Sequence, residues 1–418
     1  MHQDLSSFPA LEVIVKITER CNINCTYCYM FNKGNDDFVA RPAIISDECI
    51  EDIAAFLVRG IADLGVGTVN LVLHGGEPLL MKRDRFRALC ASLRAALDPL
   101  VELHIAIQTN ATLVTPDWID LFSEFKIDVG VSLDGPPEVH DRYRVDKAGR
   151  GTYARTIKGL NVLRSAYNAG RIGKPGAICV IDPDVSARSV YTHLVKELGF
   201  TSVSFNLPME TVDTAPADFG KKTAIYLKEL FSTWRADGDR TVRIRIFDQM
   251  LRFFGGDQAL IKVLGNMMTD HLMVVIASDG ELSEHDDFKV INFAQRCGNV
   301  KDTTLRQFAN SSLRTYLQEV ARSLPNECRV CDWRNYCRAG VTHGLTVSRY
   351  SLANGFNNRS SLCHAFSELF EEGARFLLSN GLSHEQLRNA LGLDDAKGIA
   401  SPVPPIPDPL VPRKLIVA

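Results

Sequence analysis

The stretch ITERCNINCTYCYM, residues 17–30, places Cys21, Cys25 and Cys28 within eight residues. It continues an apolar, β-branched run, LEVIVKI at 11–17, of the kind that forms buried strands. Three thiolates at this C-x3-C-x2-C spacing can bind three corners of an iron–sulfur cube. The next cysteine lies in a helical pattern, so the fourth iron would keep an open position, as catalytic metals do. A three-cysteine zinc site is the alternative on spacing alone.

Short apolar runs alternate with longer amphipathic segments over the first two hundred residues. The predicted strands are LEVIVKI (11–17), TVNLVLH (68–74), ELHIAIQT (102–109), IDVGVSL (127–133), GAICVI (176–181) and SVSFNL (202–207). Four helices are predicted between these strands. The first begins near Ser46 and the second at Thr115, before Pro116; the other two cover 152–166 and 186–198. Repeated strand–helix units require a parallel sheet with right-handed crossovers. We therefore predict an α/β fold, a partial (β/α)6 TIM barrel that is open rather than closed by eight strands.

The composition excludes several classes of protein. The chain has 418 residues, 45% hydrophobic and 23% charged, which is typical of a soluble globular protein. Its formal net charge of −3 argues against nucleic acid as a partner, because phosphate binding needs a basic excess. No apolar run is long enough for a membrane helix, and the first ten residues lack the features of a secretory signal. We expect a cytoplasmic protein whose 11 cysteines form no disulfide framework.

The pattern changes beyond about residue 216. Two helical patterns (221–234 and 247–264) lead to a strand and turn (MVVIASDGEL, 273–282), a cysteine-rich region (297–363), a helix (365–378) and a proline-rich tail. The prolines exclude helix and central strand from the tail, and a disordered end is expected there rather than a docking segment. The expected domains are an N-terminal segment (1–10), the barrel (11–215), a helical bridge (216–270), a cysteine-rich domain (271–370) and a C-terminal helix end with the tail (371–418).

A second group of cysteines lies in the loop-rich region. It consists of Cys328, Cys331, Cys337 and Cys363. Four cysteines in such a sequence suit a closed iron–sulfur cube and a structural zinc site equally well. Three other cysteines lie in helix or strand patterns, where free thiols are usually part of the core: Cys49, Cys90 and Cys179.

The first cysteine group resembles that of the radical S-adenosylmethionine (SAM) enzymes, with Tyr27 in the aromatic position of C-x3-C-x-aromatic-C. The resemblance implies a [4Fe–4S] cluster whose open iron binds SAM. It further implies that a 5′-deoxyadenosyl radical abstracts hydrogen from the substrate. An electron donor such as flavodoxin or ferredoxin is the partner that this chemistry requires.

Polar motifs follow the next three strands, where the chemistry of such barrels collects. They are HGGEP (74–78), QTNA (108–111) and SLDG (132–135) with the nearby HDRYR (140–144). Each alone is compatible with an ordinary turn or cap. The resemblance implies that they contact SAM, through Gly75, Gly76, Glu77 and Pro78 at the amino group and through Thr109, Asn110, Ser132, Asp134 and Arg144 at the ribose and carboxylate.

The second cysteine group resembles the SPASM extension of radical SAM peptide maturases, which implies that its four cysteines hold an auxiliary [4Fe–4S] cluster. A full SPASM domain holds two such clusters, and this chain departs from that pattern. Asp279-Gly280 leads into ELSEHDDFK without the usual cysteine, and Val341 stands four residues after Cys337 where another is usual. We expect one complete auxiliary cluster, with Cys297 as a leftover thiol or as a ligand in an unusual site.

The SPASM resemblance implies a peptide substrate. The ending NGFNNRSSLC (354–363) resembles the maturases that form three-residue cyclophanes, in which an aromatic ring carbon is joined to the β-carbon of a nearby residue. Closing such a ring releases one proton and one electron. Asp286, Asp287 and Glu284 are candidate bases for the proton, and a solvated acidic loop is the alternative for this run.

Two other functions stay open. One is oxidation of Cys or Ser to formylglycine in a sulfatase, by a branch of the family that carries both auxiliary clusters. The other is a non-catalytic binding protein whose metal sites only staple loops. Because the first strand starts near Leu11, we expect any leader-peptide-binding module to be a separate protein, or the barrel and SPASM-like surfaces to recognise the leader.

Overall fold

The computed structural model describes residues 8–261, 271–291, 293, 297–393 and 401–407. Its strands are β1 (Ala10–Thr18), β2 (Ile23–Cys25), β3 (Thr68–Gly75), β4 (Glu102–Thr109), β5 (Ile127–Ser132), β6 (Arg144–Asp146), β7 (Gly176–Val180), β8 (Ser202–Asn206), β9 (Arg243–Ile244), β10 (His271–Ile276) and β11 (Leu282–Ser283). Nine of them form one sheet in the order β11-β10-β1-β3-β4-β5-β7-β8-β9. All neighbours in it are parallel except β10 and β11.

The six strands predicted from the sequence lie side by side in chain order, as β1, β3, β4, β5, β7 and β8. This confirms the open α/β barrel, because successive parallel strands joined by helices pack next to each other. Three more strands extend the sheet, β9 beside β8, and β10 and β11 on the side of β1. β10 lies in the segment assigned to the cysteine-rich domain, yet it pairs in parallel with β1 on the edge away from β3.

The helices are α1 (Asp37–Ala40), α2 (Asp47–Leu64), α3 (Arg83–Leu97), α4 (Pro116–Glu124), α5 (Pro137–Tyr143), α6 (Tyr153–Asn168), α7 (Ala187–Tyr191), α8 (Phe219–Asp237), α9 (Arg245–Phe254), α10 (Leu305–Ala309), α11 (Ser312–Arg322), α12 (Arg334–Cys337), α13 (Cys363–Ser379) and α14 (His384–Leu391). Several helix ends follow from local chemistry. Ser46 caps α2 by accepting from the Cys49 amide, and Gly65 ends it in the left-handed region. Thr115 stands at the N-cap of α4, but its side chain makes no capping hydrogen bond.

Two predicted helices differ from the structure. The helix predicted over 186–198 changes to a π-helix at Thr192–Glu197. The helix predicted over 247–264 ends at Phe254, because two glycines follow and Gly256 has a φ of +81°. Its last predicted residues, 262–264, lie outside the described residues.

The cysteine-rich region packs onto the barrel through helices and aromatic rings. α13 lies against α8, and the rings of Phe231 and Phe376 meet edge to face with centroids 6.0 Å apart. Part of the tail belongs to this packing, because the Leu324 amide donates to the Ser401 carbonyl (3.3 Å) and Ile406 packs against the core. The expectation of a disordered end is therefore wrong for 401–407. Residues 408–418 lie outside the described residues.

A membrane-crossing helix is absent from the described part of the chain, where every helix is too short or too polar to span a bilayer.

Candidate active site

One cavity collects residues from the carboxyl ends of the sheet strands. Its volume is about 650 Å³, a size typical of small-molecule sites. The residues predicted to hold a cluster or SAM that line it are Cys21, Cys25, Tyr27, Cys28, Gly75, Gly76, Thr109, Asn110, Ser132 and Arg144. His285, Asp286 and Asp287 line the same cavity, although they are distant in sequence. The strand ends thus bring thiols and carboxylates to one site.

The cysteine loop is fixed by a small second sheet in which β2 pairs with β6 and Cys25 lies opposite Arg144. The Arg144 guanidinium lies 3.9 Å from the Cys25 sulfur and donates to Asp134 at 2.8 Å. Tyr27 donates to the same carboxylate oxygen at 2.5 Å. Burial raises the pKa of Cys25 to about 11, and the charge of Arg144 opposes this shift. The loop is therefore held by a buried ion pair next to its second thiol.

The glycines of HGGEP allow backbone to pack on backbone. The Gly76 amide donates to the Thr18 carbonyl at 2.9 Å, and the Glu77 amide donates to the Arg20 carbonyl at the same distance. A Cβ on Gly75 would lie 2.1 Å from the Thr18 oxygen. A Cβ on Gly76 would lie 2.1 Å from the Arg20 oxygen. The turn thus packs directly on the backbone at the start of the cysteine loop. Glycine is needed for this packing, in addition to the close approach of a ligand that the sequence predicts.

Substitution Gly76→Ala is expected to displace the cysteine loop and to reduce the iron that the protein binds. Relief of the overlap with the Arg20 carbonyl requires backbone movement, at a cost of about 1–3 kcal/mol in the free energy of unfolding. Gly67→Ala is the matched control, because the nearest atom to its Cβ would lie 3.6 Å away, an ordinary contact. Iron per chain and denaturant unfolding check both variants. A Gly76→Ala protein with the full iron content of the parent would contradict this role.

Glu77 lies behind the cavity rather than in its wall. It is 1% exposed, and its carboxylate accepts from the Thr109 hydroxyl and from the Leu79 and Asn110 amides. Burial raises its pKa to about 7. Pro78 and Asp134 are likewise buried and, among the described residues, do not belong to the cavity lining. These three predicted SAM-contacting residues support the strand ends that do line the cavity.

Asp286 lies in the cavity wall among buried cations. Its carboxylate accepts from Lys16 and from the Tyr29 hydroxyl (3.2 Å), and Lys289 Nζ lies 3.2 Å from its other oxygen. Burial raises the pKa of Asp286, but the charges of Lys16 and Lys289 outweigh it and hold the pKa far below its usual range. Burial and the same Lys16 lower the pKa of His74 to about 3, so its neutral ring can accept from Lys16 at 3.0 Å. Asp286 is therefore ionised at neutral pH.

The two neighbouring candidate bases have different surroundings. Asp287 pairs with His285. Burial lowers the pKa of His285, but the charge and hydrogen bond of Asp287, together with the nearby charges of Asp286 and Glu284, raise it to about 9. Glu284 pairs with the buried Arg314 at 3.3 Å and lies outside the cavity lining. The structure thus separates Glu284 from the cavity and leaves Asp286 and Asp287 in it.

Sequence reasoning missed four residues of this site: Lys16, Tyr29, His74 and His285. Lys16 carried a usable signal, because a lysine inside the apolar run LEVIVKI is fully buried and needs a partner. His74 opens the HGGEP motif, and Tyr29 follows Cys28 directly. Nothing local linked them to Asp286, which lies 270 positions after Lys16.

The second cysteine group is brought together in the structure. Burial raises the pKa of Cys337 to about 12, and the nearby thiols of Cys328, Cys331 and Cys363 raise it further. Next to Cys337 the backbone adopts a rare conformation, with φ values of +50° at Arg338, +54° at Ala339 and +92° at Gly340. Cys337 is right-handed and Arg338 and Ala339 are left-handed. A right-handed residue followed by left-handed ones forms a nest, an arrangement of backbone amides that binds anions at many iron–sulfur sites.

The remaining cysteines differ from the two groups in their surroundings. Among the described residues, no three Cys, His, Asp or Glu side chains lie close enough to hold one metal ion. The predicted core cysteines are buried, at 4% exposure for Cys49 and 0% for Cys90 and Cys179. Cys297 is also buried, and burial raises its pKa to about 12.

Comparison with known proteins agrees with this geometry. Residues 15–174 match the model of the Radical SAM superfamily. They form a radical SAM domain. This domain spans β1 to α6, which carry the cysteine loop and the HGGEP, QTNA and SLDG motifs. A radical SAM domain uses a [4Fe–4S] cluster and SAM as cofactors, which confirms the cofactors expected from the first cysteine group.

Relatives of known function extend beyond the radical SAM domain. The cysteine-type anaerobic sulfatase-maturating enzyme of Clostridium perfringens is 25% identical over 379 residues, which are 87% of this chain and 96% of that enzyme. The serine-type enzyme of Bacteroides thetaiotaomicron is 26% identical over 392 residues, which are 88% of this chain and 90% of that one. The structure titled native anSMEcpe with bound AdoMet and Kp18Cys peptide has a TM-score of 0.73 and 24% identity, covering 89% of this chain and 99% of its own. The fold therefore resembles theirs over most of its length.

Proposed function

We propose that this protein is a radical SAM enzyme that modifies a side chain of a peptide or protein. The observation that carries the proposal is the cavity that the three cysteines share with Asp286 and Asp287. The sulfatase-maturating relatives support a peptide substrate, because the alignments cover most of this chain and most of each relative.

Residues of the cavity would hold the cofactors. Cys21, Cys25 and Cys28 would bind three irons of the cluster. Gly75, Gly76, Thr109, Asn110 and Ser132 line the cavity next to them and would contact SAM. The burial that raises the pKa of Cys21 to about 12 makes metal binding the means by which this thiol loses its proton.

When bound, the cluster and SAM supply a 5′-deoxyadenosyl radical that takes a hydrogen atom from the substrate. Reductive cleavage of SAM consumes one electron from a low-potential donor and releases methionine. The substrate then loses one proton and one electron to complete a two-electron oxidation. Asp286 or Asp287 would accept the proton, since both line the cavity. Asp286 is ionised and available, although Lys16 and Lys289 make it a weaker base than an unpaired carboxylate. The cysteines that would hold an auxiliary cluster able to take up this electron are Cys328, Cys331, Cys337 and Cys363.

The relatives favour one subtype, the oxidation of a cysteine or serine to formylglycine. From serine, loss of a hydrogen atom, a proton and an electron gives the aldehyde directly. From cysteine, the same losses give a thioaldehyde, and water then replaces sulfur and releases hydrogen sulfide. This was the alternative prediction from the sequence, and the relatives support it better than the main prediction of a cyclophane crosslink.

Crosslinking is the second candidate, and a specific feature of this chain favours it. The resemblance places a cysteine of another auxiliary cluster in the segment 281–289, where this chain has ELSEHDDFK. That segment instead contributes His285, Asp286 and Asp287 to the cavity. In a crosslink the carbon radical adds to an aromatic ring, a carbon–carbon bond forms, and the ring loses one proton and one electron.

Mass spectrometry of peptides treated anaerobically with enzyme, SAM and reductant tests the function. Synthetic peptides would contain a cysteine, a serine, or an aromatic residue two positions from a basic one. A new aldehyde that reacts with a hydrazide probe supports formylglycine. A loss of two hydrogens without hydrazide reactivity, with the two residues joined in the fragment spectrum, supports a crosslink.

Failure to form 5′-deoxyadenosine from SAM under any of these conditions would overturn both subtypes. Zinc in place of iron in anaerobically purified protein would favour the non-catalytic alternative. About eight irons per chain are expected from one radical SAM cluster and one auxiliary cluster, against about twelve from two auxiliary clusters. The electron donor and a leader-binding protein stay predictions.

A further inference from the structure

Arg349 is a buried cation beside the second cysteine group. Its side chain is 0% exposed and is the largest among the fully buried ones. The guanidinium donates to the carbonyls of Ser323 (3.3 Å) and Val320, which fix its position. Its Nε is buried without a hydrogen-bond partner among the described residues. Burial lowers the pKa of Arg349 to about 10, which still leaves it charged at neutral pH.

A guanidinium at such depth usually faces a carboxylate. Within the described part of the chain, no Asp or Glu forms an ion pair with Arg349. The turn Thr346–Arg349 lies next to the segment that follows Cys337, because the Leu345 amide donates to the Gly340 carbonyl at 3.1 Å. The groups that act on the guanidinium there are Cys328, Tyr316 and Cys337. Arg329, between Cys328 and Cys331, also buries Nε and Nη2 without a partner among the described residues. Two guanidiniums with buried, unpartnered nitrogens therefore lie at this cysteine group, as far as the described residues extend.

The backbone at Cys337 points to the same missing anion. Arg338 and Ala339 hold left-handed conformations, which are unfavourable for residues with a Cβ. Such strain persists only where its surroundings stabilise it. The nest of amides that follows Cys337 is complementary to negative charge. Buried cations and the amide nest are independent observations, and both indicate an anionic group held by these cysteines.

The first cysteine group has a different electrostatic balance. The cations that act on Cys28 are each paired with a carboxylate, Arg144 with Asp134 at 2.8 Å and Lys16 with Asp286. The carboxylate of Glu77 acts on the Cys21 thiol and opposes further negative charge there. Reduction adds negative charge to an iron–sulfur cluster, so net charge, amide hydrogen bonds and burial set its potential. A cluster at the second group should therefore accept an electron more readily than the cluster in the barrel.

We propose that Arg349, together with the amide nest at 337–340, raises the reduction potential of the auxiliary cluster and makes it the electron acceptor for substrate oxidation. This inference rests on the proposed function. In that step the substrate radical loses one electron, the four-cysteine cluster gains it, and the proton goes to a cavity carboxylate. Arg349 would act on the reduction potential of the cluster and not on the substrate, so it is a positioning residue rather than a catalytic one.

A redox titration followed by electron paramagnetic resonance tests the inference without turnover. The full-length chain with Cys21, Cys25 and Cys28 replaced by alanine leaves the auxiliary cluster as the source of the signal. In this background, Arg349→Gln is expected to lower the reduced-to-oxidised ratio at a fixed potential at least tenfold, equal to about 59 mV for one electron. Arg349→Lys keeps the charge and should keep the ratio close to that of the background chain.

Arg359→Gln is the matched control, because Arg359 is 56% exposed and lies 3.4 Å from Glu327. Solvent screens its charge, so its loss should change the ratio much less than the loss of Arg349. An unchanged ratio in Arg349→Gln would overturn the inference, as would equal shifts in Arg349→Gln and Arg359→Gln.

Iron content separates the remaining outcomes. Loss of iron in Arg349→Gln but not in Arg349→Lys supports the inference, because the positive charge is then needed to hold the anionic cluster. Loss in both variants overturns it, since the residue would then serve only the fold. A background chain that binds no iron at all contradicts the auxiliary cluster of the proposed function itself.

Discussion

Replacing Cys25 with alanine is expected to abolish the formation of 5′-deoxyadenosine from SAM. Cys25 lies in the cavity wall, pairs with Arg144 across the small sheet, and would bind one of three irons. Without it the cluster retains two protein ligands, too few to hold a cube with one open iron. Product formation should fall to the level without enzyme, and bound iron should fall by about four atoms per chain. Chromatography of the nucleoside and iron analysis give the two readouts.

Cys179→Ala is the matched control for this loss. Cys179 is 0% exposed and lies on β7, so its replacement tests removal of a buried thiol without removal of a predicted ligand. We expect full iron content, with destabilisation of the order of 1 kcal/mol from the small cavity. A Cys25→Ala protein that forms 5′-deoxyadenosine at the parent rate would refute the radical SAM mechanism for this site.

The substitution Asp286→Asn is expected to uncouple SAM cleavage from peptide modification. If Asp286 accepts the substrate proton, its loss should slow product formation by about 10²–10⁴-fold, the usual contribution of a general base. Formation of 5′-deoxyadenosine should continue, because the three cysteines remain and an asparagine at 286 can still accept from the Tyr29 hydroxyl beside Cys28. The measurement is the amount of modified peptide per 5′-deoxyadenosine, determined in the same reaction.

The change also affects folding, because Asp286 pairs with the fully buried Lys16. Breaking one side of such a pair typically costs about 3–5 kcal/mol, so unfolding must be measured in parallel. Asp287→Asn is the matched control, since the neighbouring carboxylate also lines the cavity. If both substitutions lower the amount of modified peptide per 5′-deoxyadenosine equally, Asp286 has no role beyond that of Asp287. If Asp286→Asn leaves this ratio unchanged, Asp286 is not the base.

Local patterns were sufficient for the elements of the barrel. Alternating apolar runs and amphipathic segments predicted the six central strands and their order, because each strand–helix unit packs beside the one before it. The cysteine spacing and the strand-end rule predicted most of the cavity wall. Local patterns did not show which positions have distant partners. The motif around Glu77, for example, does not reveal that its carboxylate accepts from the Thr109 hydroxyl and the Asn110 amide.

The sequence by itself determined the parallel barrel and the grouping of the cysteines, since strand periodicity, loop position and ligand spacing are encoded within short segments. Only the tertiary structure decided that β10 lies beside β1 and that Lys16 meets Asp286. It also decided that Arg349 lies without a carboxylate near Cys328 and Cys337, as far as the described residues extend. Burial and charge balance are properties of residues far apart in the chain, so they are fixed only when the chain packs.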